Sequence, residues 1–261
     1  MKLAISGVTG RMGLAIARLA HAAADIELVG GICSSEHPGA GKDIGELAGL
    51  GQMGVVTTPD IASGLLGADV VIDFSNASAV AGLVHVAARH KIAVVSGTTN
   101  IDENAKKALD KAAQSVPVLW APNMSLGVQV LAELVEQAVK RLGLGYDVEI
   151  TEIHHRKKVD SPSGTAKRLA EAARQARPEL RDVHGRSGDV GARPDDEMAV
   201  LGIRGGDVVG DHTVYLFGQG ERLELTHRAS NRDLFAHGAI AAARFLAGKP
   251  AKRYTIADVL G

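Results

Sequence analysis

Residues 2–13 read Lys2-Leu3-Ala4-Ile5-Ser6-Gly7-Val8-Thr9-Gly10-Arg11-Met12-Gly13, and this stretch decides the fold. Residues 2–6 form a short apolar run of strand type. Glycine then recurs at every third position. Met12, Ala15, Ile16, Leu19 and Ala20 follow at the three- and four-residue steps of a helix. The pattern is a strand that turns through a glycine loop into a helix. Glycines let the backbone turn tightly and approach a phosphate, and the helix N-terminus presents its positive end to that anion. The spacing is GxxGxxG rather than GxGxxG, and the plain alternative is a tight strand–helix turn. Its place at the first strand–helix junction favours a dinucleotide cradle made of Gly7, Val8, Thr9, Gly10, Arg11 and Met12.

The same rhythm continues to about residue 120. Apolar strand-like runs at 26–32, 69–74, 92–96 and 116–121 alternate with helical stretches at 77–89 and 102–114. The strands are apolar throughout instead of alternating, as expected when helices cover both faces of a parallel sheet. We therefore expect an α/β, Rossmann-like, doubly wound parallel sheet. Ligands in such sheets bind beyond the carboxyl ends of the strands, which places Gly97, Thr98 and Thr99, and Ala121, Pro122, Asn123 and Met124, beside a cofactor cleft. After residue 123 the rhythm changes. A long amphipathic helix at 126–142, a strand at 147–154 and a helix at 164–177 precede three strand-like runs at 198–204, 208–217 and 222–227. Strands without intervening helices indicate a second α+β domain on a mixed or antiparallel sheet. The polar, aperiodic stretch 181–196 reads as a mobile loop. A last amphipathic helix at 233–247 is free to return to the first domain. The expected division is 1–124 with 234–261 for dinucleotide binding, and 125–233 for substrate binding and oligomerisation.

Composition narrows the function classes. The chain has 261 residues, 29 basic and 30 acidic, for a net charge of −1. That balance argues against a general polyanion-binding surface. Aromatic residues are 3% of the chain, which disfavours base-stacking platforms. No apolar run approaches the roughly 20 residues of a membrane span. The N-terminus breaks into glycines after five apolar-run residues, unlike a signal peptide. The single cysteine, Cys33, excludes an intramolecular disulfide and fits a reducing compartment such as the cytoplasm. We expect no nucleic-acid and no membrane partner.

The second strand ends Gly30-Gly31-Ile32-Cys33-Ser34-Ser35, with no carboxylate before Glu36. A carboxylate there would bind the adenine-ribose hydroxyls of NADH. Without it a 2′-phosphate is not repelled, and Arg11 or Lys42 is a candidate partner for that phosphate. Cys33 reads as a small residue at a strand end, since no paired base is at hand to activate its thiol.

The densest chemistry lies at 154–165, which reads His154-His155-Arg156-Lys157-Lys158-Val159-Asp160-Ser161-Pro162-Ser163-Gly164-Thr165. As a bare charge run it is a solvated basic loop. The alternative is an anion site with acid–base groups. Ser163, Gly164 and Thr165 open a helix whose first-turn donors suit a carboxylate, and histidine transfers protons near neutral pH. Neither histidine has the companion ligands of a zinc site, so no metal is expected.

The string HHRKKVDSPSGTA at 154–166, with GVTGRMG at 7–13, GTT at 97–99 and APNMSLG at 121–127, resembles the dihydrodipicolinate reductase family, also called 4-hydroxy-tetrahydrodipicolinate reductases. The resemblance runs from Lys2 to the last helix. It implies reduction of a cyclic dicarboxylate, 4-hydroxy-tetrahydrodipicolinate, by NADH or NADPH with loss of water, on the diaminopimelate route to lysine. It implies His154 and Lys158 as proton donors, and His155, Ser163, Gly164 and Thr165 as substrate contacts. Gly7 to Met12 would hold the cofactor phosphates, and the 97–99 and 121–124 segments would flank the nicotinamide. It also implies a homotetramer of two-domain subunits. Another two-domain nicotinamide oxidoreductase would keep the glycine loop but has no need of a double histidine followed by Ser-Gly-Thr. The sequence departs from the resemblance at Cys33–Ser34, where the family commonly carries an acidic residue and often an arginine. This leaves both cofactors usable, with NADPH favoured by no more than about tenfold.

Overall fold

The computed structural model describes Met1 to Gly261. Two units emerge: Met1–Ser125 with Asp233–Gly261, and Leu126–Arg232. The first begins with β1 (Lys2–Ser6), α1 (Arg11–Ala22) and β2 (Glu27–Ile32), followed by α2 (Ile44–Ala48), β3 (Thr57–Thr58) and α3 (Ile61–Gly64). It continues through β4 (Val70–Asp73), α4 (Ala77–Arg89), β5 (Ala93–Ser96), α5 (Glu103–Ala112) and β6 (Pro117–Trp120). All strand pairings are parallel, and the order is β12-β6-β5-β4-β1-β2-β3, where β12 is Lys252–Tyr254. The order reverses direction between β1 and β4, which opens a crevice beyond their carboxyl ends.

Every residue of β4 and β5 is buried, as strands covered on both faces require. Ala4, Val71, Val94 and Val118 pack under Val80, Leu83 and Val84 of α4 and Leu109 of α5. The other face is covered by α1 and by α8 (Asp233–Leu246), which returns after the second unit. Asp102 caps α5 by accepting from Ala105 N–H at 2.8 Å. Five short elements had no readable period: α2, β3, α3, β12 and α9 (Ile256–Leu260). Each has five residues or fewer, too short for a periodicity to show.

The second unit holds α6 (Leu126–Leu142), β7 (Asp147–His154), α7 (Gly164–Ala176), β8 (Arg181–Val183), β9 (Glu197–Arg204), β10 (Asp211–Gly218) and β11 (Glu221–Arg228). Its sheet is mixed, in the order β11-β10-β7-β9-β8. β10 runs antiparallel to β7 and β11, whereas β9 runs parallel to β7 and β8. One face carries Val148, Ile150, Val200, Val214 and Leu216 against Leu131, Val135 and Leu169 of α6 and α7.

Two expectations fail here. The stretch 181–196 is not free of structure: Arg181–Val183 pairs with β9. Beyond it, Arg193 binds Asp147 Oδ1 at 2.8 Å and Glu149 Oε1 at 2.7 Å, fastening the segment to β7. Three paired residues and a charge anchor leave no hydrophobic period to read. β10 also starts at Asp211 rather than at 208, because the Val208 carbonyl leaves the ladder and accepts from His155 N–H at 2.8 Å.

Candidate active site

The first site lies in the first unit, beyond the carboxyl ends of β1, β2 and β4. Gly7 sits at φ +75°, and a Cβ there would lie 2.3 Å from the Phe74 carbonyl oxygen. A Cβ on Gly13 would lie 2.3 Å from the Gly7 carbonyl oxygen, so this glycine lets α1 pack onto the turn. Gly10 is the N-cap of α1 and offers no side chain to its first-turn amides. Those amides therefore await an external acceptor. Gly10 borders two adjoining cavities, which share Phe74 and Ser75 as well. The larger, about 480 Å³, reaches Thr9, Cys33, Ser34 and His37. The smaller, about 350 Å³, is bounded by Arg11, Met12, Gly97, Thr98, Thr99 and Met124. An uncapped helix start bordered by two adjoining cavities has the features of a dinucleotide site.

Asp73 braces this site. It is fully buried at the end of β4. Its carboxylate accepts from Ser75 Oγ at 2.5 Å, Ser96 Oγ at 2.8 Å and Thr98 Oγ1 at 2.7 Å, and from Ser75 N–H at 3.2 Å. Trp120 Nε1 donates to the Thr98 carbonyl at 2.9 Å. The ends of β4, β5 and β6 are thus joined by one hydrogen-bond network. The sequence reading missed Asp73, although a carboxylate ending an otherwise apolar buried strand is a signal.

The second site lies in the second unit. The buried face of β7 continues from Val148 and Ile150 to Glu152 and His154, so its period turns from apolar to polar at the sheet edge of the core. Glu152 is fully buried. It accepts from His154 Nδ1 at 2.6 Å, Ser163 N–H at 2.9 Å, and Arg204 Nη1 and Nη2 at 2.7 Å each. Burial would raise its pKa, but the hydrogen bonds from Arg204, His154 and Ser163 outweigh it and hold the carboxyl below its usual range. An ionised carboxylate only accepts, so His154 carries its proton on Nδ1 and turns Nε2 towards Gly210. Burial pushes the His154 imidazole below its ordinary value, Glu152 opposes this, and Lys158 and Arg204 add to the depression.

His212 faces Glu152 across the β7–β10 ladder and meets the His154 ring edge-on at 5.1 Å. Its Nε2 lies 3.0 Å from Ser163 Oγ. Burial lowers its pKa to about 4, with the neighbouring His154 adding to the effect. Lys158 donates to Asp160 Oδ1 at 2.7 Å. His155 Nε2 lies 3.1 Å from Arg232 Nη2, a pairing that the sequence reading also missed. The guanidinium only donates, so this nitrogen accepts.

Ser163 is 2% exposed, and its polar groups are engaged within the protein: N–H to Glu152, and Oγ to His212 and to the Ala166 amide. Its hydroxyl is the N-cap of α7. Gly164 is exposed, and a Cβ there would meet nothing within 4 Å. Thr165 follows it in the first turn of α7. Among the cofactor candidates, Val8 is fully buried, its side chain turned to the core, and its amide binds the Ile32 carbonyl. Ala121 and Asn123 lie on the loop that carries the lining residues Pro122 and Met124 but do not line either cavity. Arg11 borders the smaller cavity and Lys42 borders neither, whereas His37 borders the cavity at the end of β2. No group of three or more His, Cys, Asp or Glu side chains is placed to hold a metal.

Comparison with known proteins bears on both sites. Residues 1–124 match the family model "Dihydrodipicolinate reductase, N-terminus", and residues 127–260 match "Dihydrodipicolinate reductase, C-terminus". The chain belongs to the dihydrodipicolinate reductase family. A 4-hydroxy-tetrahydrodipicolinate reductase of Anaeromyxobacter sp. (strain Fw109-5) is 50% identical over 100% of this chain and 98% of its own length. That of Myxococcus xanthus (strain DK1622) is 44% identical over 100% and 98%. Among solved structures, a dipicolinate-bound dihydrodipicolinate reductase from Paenisporosarcina sp. TG-14 superposes with a TM-score of 0.79 at 20% identity, covering 98% of this chain and 97% of that one. An amine dehydrogenase from Mycobacterium smegmatis shares the fold at a TM-score of 0.62 and 14% identity, covering 98% and 95%. Membership makes the chain an NAD(P)H-dependent oxidoreductase of lysine and diaminopimelate biosynthesis.

Proposed function

We propose that the chain reduces 4-hydroxy-tetrahydrodipicolinate to tetrahydrodipicolinate, with His154 and Lys158 as the proton-delivering groups. The overall change takes one hydride, one proton and the substrate, and returns the product and one water. The nicotinamide, when bound, supplies the hydride. The chain's own residues bind the dianion, orient it and manage the proton. Gly164 and Thr165 hold a carboxylate at the start of α7, where first-turn amides favour negative charge. His155, oriented by Arg232, and Lys158 add cationic and hydrogen-bonding character to the same loop. Ser163 serves substrate indirectly, by capping α7. In the free protein His154 is mainly neutral near pH 7, because burial disfavours its cation. A dianion beside Nε2 raises its proton affinity. The acid is thereby charged when substrate arrives, and a positioned acid contributes on the order of a hundred- to ten-thousand-fold.

One observation carries this reading: a single buried carboxylate, Glu152, accepts both from the His154 ring and from the Ser163 amide that opens α7. Proton donor and carboxylate seat are thus tied together. The test is a coupled assay, in which the synthase makes substrate from pyruvate and aspartate semialdehyde and absorbance loss follows NADH or NADPH. Turnover is expected with both, and dipicolinate, a planar dicarboxylate, should compete with substrate. Competition with nucleotide alone would overturn the carboxylate seat.

Gly7 to Met12 carry the cofactor phosphates in this proposal, with Gly97, Thr98, Thr99, Pro122 and Met124 on the nicotinamide side. Ala121 and Asn123 shape that loop. We further propose a cytoplasmic homotetramer assembled through the uncovered face of the second sheet, where Ile153, Ile203, Tyr215 and Phe217 point away from α6 and α7. Light scattering on the purified protein checks the stoichiometry.

A further inference from the structure

We propose that Glu152 and Arg204 form a positioning pair that fixes the orientation and the Nδ1–H tautomer of His154 and locks that ring to the start of α7. The inference rests on the reading of His154 as proton donor and names what makes it one.

Four hydrogen bonds fill the acceptor capacity of the Glu152 carboxylate, and solvent reaches none of it. A buried charge of this kind is costly unless paired and fully satisfied. A fold needing only a spacer here would do as well with an apolar residue. What a carboxylate adds is obligatory acceptance: no tautomer of His154 other than Nδ1–H satisfies it. The neighbours are shaped to the same end. Gly202 lies beside Glu152 on β9, and a Cβ there would come within 2.4 Å of Ser161 Oγ and 3.1 Å of Glu152 Oε1. Gly210 leaves room at the other nitrogen, where a Cβ would lie 2.9 Å from Nε2. Arg204 donates further to the Asp160 carbonyl at 2.8 Å, so it also holds the loop that carries Lys158.

The proton balance requires this arrangement. The imidazolium gives up its Nε2 proton and becomes the neutral Nδ1–H form, which is then reprotonated at Nε2. With glutamine at 152, one amide atom accepts and the other donates. Opposite a donor, His154 turns to the Nε2–H tautomer. Its neutral form then cannot yield the Nε2 proton without becoming an imidazolate. The groups facing this ring are Glu152 on its own strand, Arg204 from β9, His212 from β10 and Lys158 from the loop.

The test has two arms. In protein labelled with 15N-histidine, the His154 signals, assigned by their loss in His154→Gln, should show the Nδ1–H tautomer at neutral pH. In steady-state kinetics, Glu152→Gln should lower kcat by about a hundredfold or more, leave KM for the dicarboxylate within about threefold, and move the alkaline limb of the kcat profile about one unit lower in pH. Arg204→Lys should retain more of the limb position than Arg204→Met. A merely structural Glu152 would change thermal stability and leave limb and tautomer alone. An Nε2–H tautomer in the wild type overturns the proposal, even if the Glu152→Gln chain fails to fold. So does an unmoved limb in folded Glu152→Gln when His154→Ala is inactive. Near-wild-type turnover in His154→Ala would instead remove His154 as the acid, and the pair with it.

Discussion

Lys158 places its ammonium on Asp160 at 2.7 Å while its own side chain is 19% exposed. A dianionic substrate has to compete with Asp160 for that charge. In the proposed mechanism the same residue contributes both to binding and to proton delivery. Lys158→Ala should therefore lower kcat by about a hundredfold or more and also raise KM, whereas an affinity-only role would move KM alone. Steady-state kinetics separates the two, and unchanged kcat would remove Lys158 from the chemistry. Asp73 presents the opposite case, a charge that touches no substrate. Three hydroxyls and an amide converge on it. In Asp73→Asn an amide NH₂ replaces one acceptor, leaving a hydroxyl facing a donor. The loss of charge-assisted hydrogen bonds costs about 1.5–3 kcal/mol. We expect a lower melting temperature, a several-fold rise in KM for NAD(P)H and little change in KM for the dicarboxylate. A dicarboxylate KM that rises as much as that for NAD(P)H would contradict the role given to Asp73.

At the scale of elements, the proposed cofactor site makes a prediction about the end of β2. The cavity there is bordered by Cys33, Ser34 and His37, with no carboxylate, lysine or arginine on its wall. His37 Nδ1 accepts from Gly39 N–H at 3.0 Å, so the ring offers Nε2–H as a donor. One donor serves a ribose hydroxyl or a 2′-phosphate, and nothing repels either. Both cofactors should work, with NADPH favoured by no more than about tenfold, or roughly 1.4 kcal/mol. His37→Ala should reduce the preference, and Ser34→Asp should turn it towards NADH. A hundredfold preference of the wild type for NADH would refute this account.

Elements also show what a sequence makes legible. β1, α1 and the long helix α6 declare themselves through uninterrupted periodicity, and the 154–165 string through residue types packed into one loop. Glu152 was equally visible, two residues before His154 on the same strand face, but its meaning depends on Arg204, 52 residues away. Only the parallel pairing of β7 with β9 brings the two together. Arg232 likewise reaches His155 across 77 residues, from beyond the end of β11. Ser163 illustrates the converse. Its place just before a helical stretch marks it as the N-cap of α7, a role read locally, and its hydroxyl accepts from Ala166 N–H at 3.2 Å. Arg11 looked suited to a 2′-phosphate from its place in the glycine loop, but the first turn of α1 carries it to the other cavity.

At the scale of the whole molecule, the two units differ in what acid does to them. The first buries Asp73 and Asp43 but no histidine, whereas the second buries Glu152, His154 and His212 at one edge of its core. His212 has a folded-state pKa of about 4 against 6.5 for the free side chain. Between those values the unfolded chain binds the extra proton, so stability rises with pH across the window. The contribution is fully present above about pH 6.5 and lost as pH falls to about 4, amounting at most to about 3 kcal/mol. Glu152, held below the usual carboxylate range, adds a loss at still lower pH by the same linkage. The second unit should therefore fail first on acidification, and a single two-state transition is not expected of two units. The only tryptophan, Trp120, belongs to the first unit. Far-ultraviolet circular dichroism should thus begin to change at a higher pH than tryptophan fluorescence. His212→Gln retains a polar partner for Ser163 but cannot titrate, so it should flatten the dependence of stability on pH between about 6.5 and 4 while costing some stability at pH 7. An identical pH dependence in this variant and the wild type would show that His212 stays uncharged at no cost to the fold, and that the acid sensitivity arises elsewhere.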